Sequence, residues 1–451
     1  MISLADSFAF LDNPSINWKY VTASLAVGKY LFESYVEYRQ YKLYKKPFPP
    51  PSLKGKLTQE TFDKSQAYST AKSQLSFASR TLQLLQSLAY IKYDFLSVIW
   101  NQSGAILAKT TFLFPGFIRG VISQSIVFFA ATQIISTVLS APSSYYENFA
   151  VEDKYGFNKM SVATWISDIL KEFTISFLLQ APFLALFLKL IDYYGDASLA
   201  CGMILATFLQ CLNLTLLPSV ILPWFYTFTP LKDGKLKEAV ETLAKKHKVP
   251  LEEIFVVDTS SRTAHSNAYL IGLPWSQKIV LYDNLIETST IDEIVAILTH
   301  EIGHWKSNDT LKLLAASEAT LFIMFSFFSA FIYNKSLYSS FGFNREHPTI
   351  IGFFLFYGIY GELQPVITFF IHSVAQNIEY RADYYAKSYG YGQVLGEALI
   401  KLEIQSLTAF HNDWLYSAYR HSHPTLVQRL ASLDYVSDHK VPTDSKEIKK
   451  D

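Results

Sequence analysis

Two histidines four residues apart, with a glutamate directly after the first, stand at His300-Glu301-Ile302-Gly303-His304. On a helix, residues four apart share a face, so His300 and His304 can grip one Zn²⁺ while Glu301 takes the proton of the attacking water. That is the chemistry of a zinc peptidase. The competing interpretation is a surface helix with two solvated histidines. A helix is expected here on independent grounds: Thr290-Ile291-Asp292-Glu293 reads as a capping box, and Ile291, Ile294, Ile297 and Leu298 recur at helical spacing. A catalytic zinc takes three protein ligands and leaves a fourth position open. Glu379, in Asn377-Ile378-Glu379-Tyr380-Arg381-Ala382-Asp383, is the third-ligand candidate. Asp383, one turn later, is placed to accept the remaining ring N–H of a zinc-bound histidine. Taken without the histidine pair, Glu379, Arg381 and Asp383 read as a solvated polar face.

The elements that must position these residues are mostly membrane spans. Apolar residues make up 50% of the 451 and charged ones 17%, which, with several runs long enough for a bilayer core about 30 Å thick, describes a polytopic membrane protein. A net charge of zero argues against a nucleic-acid partner. Residues 1–14 show no cleavable signal peptide. Seven spans are expected, at 18–36, 82–100, 117–139, 173–191, 199–225, 311–332 and 349–374; Lys29 and Glu33 weaken the first, Lys92 and Asp94 the second. Basic residues after span one (Arg39, Lys42, Lys45, Lys46) and after span five (Lys232, Lys235, Lys237, Lys245) put both segments in the cytosol. The N-terminus is then lumenal and the C-terminus cytosolic. Asn101 and Asn334 head sequons close to the lumenal face, expected to be unused.

The expected fold is an all-α polytopic membrane protein with a small cytosolic α/β metallopeptidase unit. Its divisions are 1–228 (spans one to five), 229–310 (the unit ending in the zinc helix), 311–376 (spans six and seven) and 377–451 (a cytosolic catalytic segment and tail). In the unit, a helix at 235–248 precedes short strands at 254–257, 268–271 and 279–282; helices at 379–388 and 394–406 follow span seven, and 444–451 is a charged, disordered tail. The segment 47–80 reads as a polar loop and helix. Cys201 and Cys211 fall in an apolar run and are expected in the core. Lys92, Asp94, Asp192, Glu318 and Glu362 lie inside spans, where they line water or pair between helices.

The chain resembles the type I CAAX prenyl endopeptidases, integral membrane zinc proteases that include the a-factor-converting enzyme of yeasts and the prelamin A processing enzyme of animals. The resemblance rests on the zinc motif, on Glu379-Tyr-Arg-Ala-Asp383, on His265-Ser-Asn-Ala-Tyr269, on Lys154-Tyr-Gly-Phe-Asn-Lys159, and on His421-Ser-His-Pro-Thr425 with Arg429 nearby. Arg381 stands where many HtpX-like relatives have Gln. The resemblance implies seven helices enclosing a hollow chamber, in the endoplasmic reticulum and inner nuclear membrane. It implies one Zn²⁺ per chain and hydrolysis after a prenylated, farnesylated cysteine, with membrane lipid around the protein. It also implies a second cut upstream in a prenylated pheromone precursor.

Under that resemblance, Asn267, Ala268 and Tyr269 form an edge strand that binds extended substrate by β-augmentation, the alternative being an ordinary core strand. His423, before Pro424, is an oxyanion donor assisted by Arg429, the alternative being a loop residue. Two other functions fit less of the sequence. A quality-control protease of the HtpX type would use the same chemistry without a prenyl requirement. A transporter or channel would explain seven spans with buried charges but not the zinc constellation.

Overall fold

The computed structural model describes residues 8–116, 120–194, 198–216, 220–273 and 276–437. The expected tail at 444–451 and the first residues of the expected third span lie outside them. Asn17 caps Trp18–Leu43 (α1) by accepting from Tyr20 N, and Thr58 caps Gln59–Lys92 (α2) by accepting from Thr61 N. Asp94, at φ 53°, then breaks the chain before Phe95–Thr110 (α3). The expected span 82–100 is therefore two helices, and the break falls at its charged residues. Asp tolerates the left-handed region better than most residues, and this carboxylate meets Lys19 Nζ at 2.7 Å. Val121–Tyr146 (α4), Val162–Tyr194 (α5) and Ser198–Leu216 (α6) complete the N-terminal half. Cys211 is exposed on α6, not in the core as expected; the Cys201 side chain lies outside the described residues.

The sheet follows: Phe228–Pro230 (β1), the helix Lys235–His247 (α7), then Leu251–Val257 (β2), Ala268–Leu273 (β3) and Ser276–Tyr282 (β4), in the order β1-β2-β4-β3. β2 and β4 are parallel and the outer pairs antiparallel, so β3 is an edge. The expected strands and helix are present, and the short β1 is additional. Asp283–Thr288 (α8) leads to Ile291–Lys306 (α9), which starts with the expected capping box between Thr290 and Glu293. Ile294, Leu298 and Ile302 of α9 are buried with Ile279 and Leu281 of β4. Leu53, Leu57 and Phe62 join that same core, so the supposed loop after span one is part of the catalytic unit.

Asp309–Phe331 (α10), Lys335–Ser340 (α11) and Thr349–Ser388 (α12) form the second membrane hairpin. The separate helix expected at 379–388 is the end of α12, which runs unbroken for 40 residues. Gly392–Gln405 (α13), Trp414–Arg420 (α14) and Leu426–Ser432 (α15) close the chain. Asn334 caps α11, with only 3% of its surface exposed and its Nδ2 donating to Leu11 O at 3.1 Å, which leaves it no room for a glycan.

Among the described residues, Val121–Glu152, Val162–Tyr194, Asp309–Phe331 and Thr349–Ser388 are long and apolar enough to cross a membrane by length and composition alone. α6 carries a shorter apolar run at Gly202–Leu212, and α1 and α2, more polar, reach about 39 and 51 Å at 1.5 Å per residue. These seven helices, with α3, close a ring: α1 packs on α2, α3 links α2 to α4, and contact continues through α5, α6, α10 and α12 back to α1. Large apolar side chains left exposed along them, such as Leu178, Ile204, Phe322 and Phe370, suit a lipid surround. Inside lies a cavity of about 890 Å³. Ionisable residues of the ring pair between neighbouring helices: Lys29 of α1 with Glu362 of α12 at 3.4 Å, and Glu318 of α10, which accepts from Thr207 of α6 at 2.7 Å.

One close approach sets the site. A Cβ on Gly303 would lie 3.0 Å from Tyr385 Cβ and 3.1 Å from Ala382 Cα, so glycine lets α9 lie directly against α12. Gly303→Ala should gain up to about 1 kcal/mol of helix propensity but lose about 1–3 kcal/mol to overpacking. The expected result is a lower thermal midpoint with reduced zinc content, measured on the purified protein; an unchanged metal content would show that α12 can give way.

Candidate active site

α9 faces two ways. Its apolar stripe enters the core of the soluble unit, and His300 and His304, one turn apart, face α12. Glu379 lies on α12 just beyond its most apolar part, opposite the pair. His300 Nε2 and His304 Nε2 are 3.2 Å apart, and Glu379 reaches them at 3.5 and 3.3 Å. Two ligand atoms about 2.1 Å from one tetrahedral Zn²⁺ would lie about 3.4 Å from each other. The His300–His304 edge matches that spacing, and Glu379 approaches each histidine with a different oxygen, Oε2 toward His300 and Oε1 toward His304, so the three residues group closely enough to share one ion. Two further observations fit a cation. Glu379 Oε2 is buried and lacks a well-directed hydrogen bond, although His423 Nδ1 and His300 Nε2 lie 3.0 and 3.5 Å from it. Burial opposes charge on His300, yet its hydrogen bonds to Asp383 and Glu379 outweigh that and push its pKa up to about 9, so the pocket favours positive charge here. Among the described residues, His300, His304 and Glu379 form the one group of three arranged to hold a metal.

Each histidine has its own carboxylate. Asp383 Oδ1 lies 2.9 Å from His300 Nδ1, and the Asp383 carboxylate is fully buried. Arg429, from α15, holds Asp383 through two bonds, Nε to Oδ2 at 2.9 Å and an η-nitrogen to Oδ1 at 2.6 Å. Arg429 was expected beside His423; its principal partner is Asp383, although another η-nitrogen comes within 3.8 Å of Glu379. His304 Nδ1 lies 3.2 Å from Asp309 Oδ2. Asp309 was not singled out from sequence. The signal was its position five residues after His304, which looks like an ordinary helix start.

Burial lifts the Glu301 carboxyl above the usual carboxylate range, toward the poise of a general base. His423 sits with 63% of its side chain exposed and Nδ1 3.0 Å from Glu379 Oε2, close to the metal group. It arrives there because α14 folds back on α12: His372 Nδ1 meets Tyr419 O at 2.8 Å, and Gln376 Nε2 donates to His421 O at 2.9 Å. On the other flank, α9 packs against β3. Ala268 points its side chain into the core, Tyr269 is half-buried against Tyr282, and Asn267 is exposed with its Oδ1 accepting from Ala268 N. The strand is thus a core strand by its side chains and an open edge by its backbone. The Lys154–Lys159 block joins it to the membrane ring: Lys159 N donates to Arg262 O, and the His265 ring stacks 4.5 Å from Phe157.

A histidine–glutamate group able to hold a metal, on a helix pair joined to a hollow membrane ring, is the arrangement of a polytopic metalloprotease. Comparison with known proteins specifies the class. Residues 38–227 match the family described as CAAX prenyl protease N-terminal, five membrane helices, and residues 230–437 match peptidase family M48. CAAX prenyl protease 1 of Saccharomyces cerevisiae is 39% identical over 450 residues, covering 96% of this chain and 99% of that protein. The human CAAX prenyl protease 1 homolog is 31% identical, covering 91% and 94%. The crystal structure of S. mikatae Ste24p superposes with a TM-score of 0.88 at 40% identity, covering 93% of this chain and all of that one. The chain belongs to the CAAX prenyl protease 1 family of M48 metallopeptidases.

If His300, His304 and Glu379 hold the metal, Glu379→Ala should lose both zinc and activity. Asp383→Asn should weaken zinc affinity by about 10- to 100-fold, the usual effect of removing the group that fixes a ligand histidine. Metal analysis and chelator competition check both; tight zinc in Glu379→Ala would require another ligand.

Proposed function

We propose that this chain hydrolyses the peptide bond after a prenylated cysteine, releasing the last three residues of a C-terminal CAAX sequence, with one Zn²⁺ held by His300, His304 and Glu379. The supporting observation is placement: the helix that carries His300 and His304 packs on the edge strand β3, and Arg262, Thr263 and His265, which lead into that strand, line the chamber. The relatives named CAAX prenyl protease 1 indicate the substrate class.

Bound zinc would act as a Lewis acid, polarising the scissile carbonyl and acidifying water. The chain's own groups do the rest. The substrate backbone lies extended along β3, with Asn267 and Tyr269 at its entry. Glu301 takes the proton of the attacking water and delivers it to the leaving nitrogen. His423 donates to the developing oxyanion from the solvent side, and Arg429 keeps Asp383 ionised, which holds His300 in the tautomer that offers Nε2. A second cut upstream in a prenylated pheromone precursor uses the same site after the substrate shifts along the strand. The protein resides in the endoplasmic reticulum and inner nuclear membrane with its N-terminus lumenal; the basic segments after α1 and α6 both belong to the soluble unit, as a shared cytosolic side requires.

Purified wild type should cleave a farnesylated CAAX peptide and leave the same peptide without farnesyl essentially uncut. Equal cleavage of both would favour a quality-control protease. Glu301→Gln should abolish cleavage with zinc near stoichiometric, and metal loss in that variant would make Glu301 a ligand and not the base. His423→Ala should keep zinc and fold but lower kcat by about 10² to 10³ with little change in KM; near-normal turnover would exclude the oxyanion role.

A further inference from the structure

The second histidine of the pair is held by a group that no sequence motif marks. Asp309 is 2% exposed. One of its oxygens faces His304 Nδ1 at 3.2 Å, and the other accepts from Lys312 Nζ at 3.1 Å and from an Arg381 η-nitrogen at 3.2 Å. A buried carboxylate without such partners would cost several kcal/mol, so this arrangement is a satisfied network and not a chance contact. The ordinary role of Asp309 is to start a helix: it is the first residue of α10, after Asn308 at φ 53°, and an acid suits that end of the helix dipole. That role explains a charge at this position but not a side chain whose partners are an imidazole and two cations. The left-handed turn at Asn308 sends the chain back so that the carboxylate meets the ring it has just passed.

Arg381 lies two residues after Glu379 on α12, on the stretch that also carries Asp383. The two histidines are therefore treated alike. Asp383 fixes His300 and is clamped by Arg429; Asp309 faces His304 and is clamped by Arg381. We infer that Asp309 is a positioning residue for His304, accepting its Nδ1–H so that Nε2 is presented to the metal, and that Arg381 acts on the metal site through Asp309. This rests on the zinc reading of His300, His304 and Glu379.

The test uses the full-length protein in detergent and measures zinc affinity by chelator competition, together with the thermal midpoint of the metal-free form. Asp309→Asn should bind zinc about 10- to 100-fold more weakly, with the metal-free midpoint unchanged. Arg381→Gln should shift affinity about threefold or more in the otherwise unchanged protein and not at all in the Asp309→Asn background, as expected of a residue coupled through its neighbour. Wild-type affinity in Asp309→Asn, or an equal Arg381→Gln effect in both backgrounds, overturns the inference. Should Asp309→Asn fail to fold, Arg381→Gln, at a half-exposed side chain, must still move the ligand-field bands of the Co²⁺-substituted protein; an unmoved spectrum with unchanged affinity also overturns it. Glu379→Ala run alongside separates the two levels: full zinc retention there defeats the metal-site reading itself, whereas zinc loss there with an unaffected Asp309→Asn defeats this inference alone.

Discussion

The contact of α9 with α12 across Gly303 is the constraint on which the rest depends. Metal ligands must come within about 3.5 Å of each other, a spacing that side-chain flexibility alone does not hold in a buried site. Here the backbones do that work: α9 fixes His300 and His304 one turn apart, and α12 brings Glu379, Arg381 and Asp383 past them in register. Glu379, Arg381 and Asp383 thus hang on five consecutive residues of one helix. A small slide or rotation of α12 would disturb all of them together, which makes this helix the ruler of the site.

That helix is also a wall of the membrane ring, so the site and the chamber cannot be built separately. α12 packs on α1 and α10 within the ring and on α14 and α15 beyond it. The outer segments are tied back by directional bonds. Arg39 on α1 makes two bonds to Asp413, at 3.0 and 2.9 Å, and Gln40 bonds the chain on either side of Asn412. Bidentate guanidinium–carboxylate geometry fixes orientation as well as distance, which suits a segment that must carry His423 and Arg429 to the metal side.

The candidate site was far more legible in the sequence than the element boundaries were. His300, Glu301, His304, Glu379 and Asp383 are readable because ligand chemistry and helical period both constrain them. The edge position of Ala268 and Tyr269 is readable because short apolar alternations bounded by turns resemble strands. Hydropathy, by contrast, failed where helices are long but only partly apolar: α2 runs on from a polar stretch, and its end at Asp94 is set by backbone conformation, not by a change in composition. Leu53, Leu57 and Phe62 were missed as core because the rest of that core begins only at Val240, far away in sequence. Asp309 was missed for a related reason, since an acid at a helix start already has a sufficient local explanation.

The polar interior of the ring follows from the reaction that a metalloprotease performs. Hydrolysis consumes water, and a site reached only through hydrocarbon would be starved of it, so an enclosed membrane protease needs a wall that water wets. The cavity has one: Lys72, Glu152, Asp168, Arg262 and His265 line it together with apolar residues of α5 and α6. Most of these charges are already matched, Lys72 and Tyr68 to Glu152, and Arg262 to Asp168, which holds the wall rigid. The same residues join the ring to the sheet, because Arg262 and His265 sit in the segment that becomes β3. Wetting the chamber and positioning the edge strand are therefore one structural task, performed where the Lys154–Lys159 block docks.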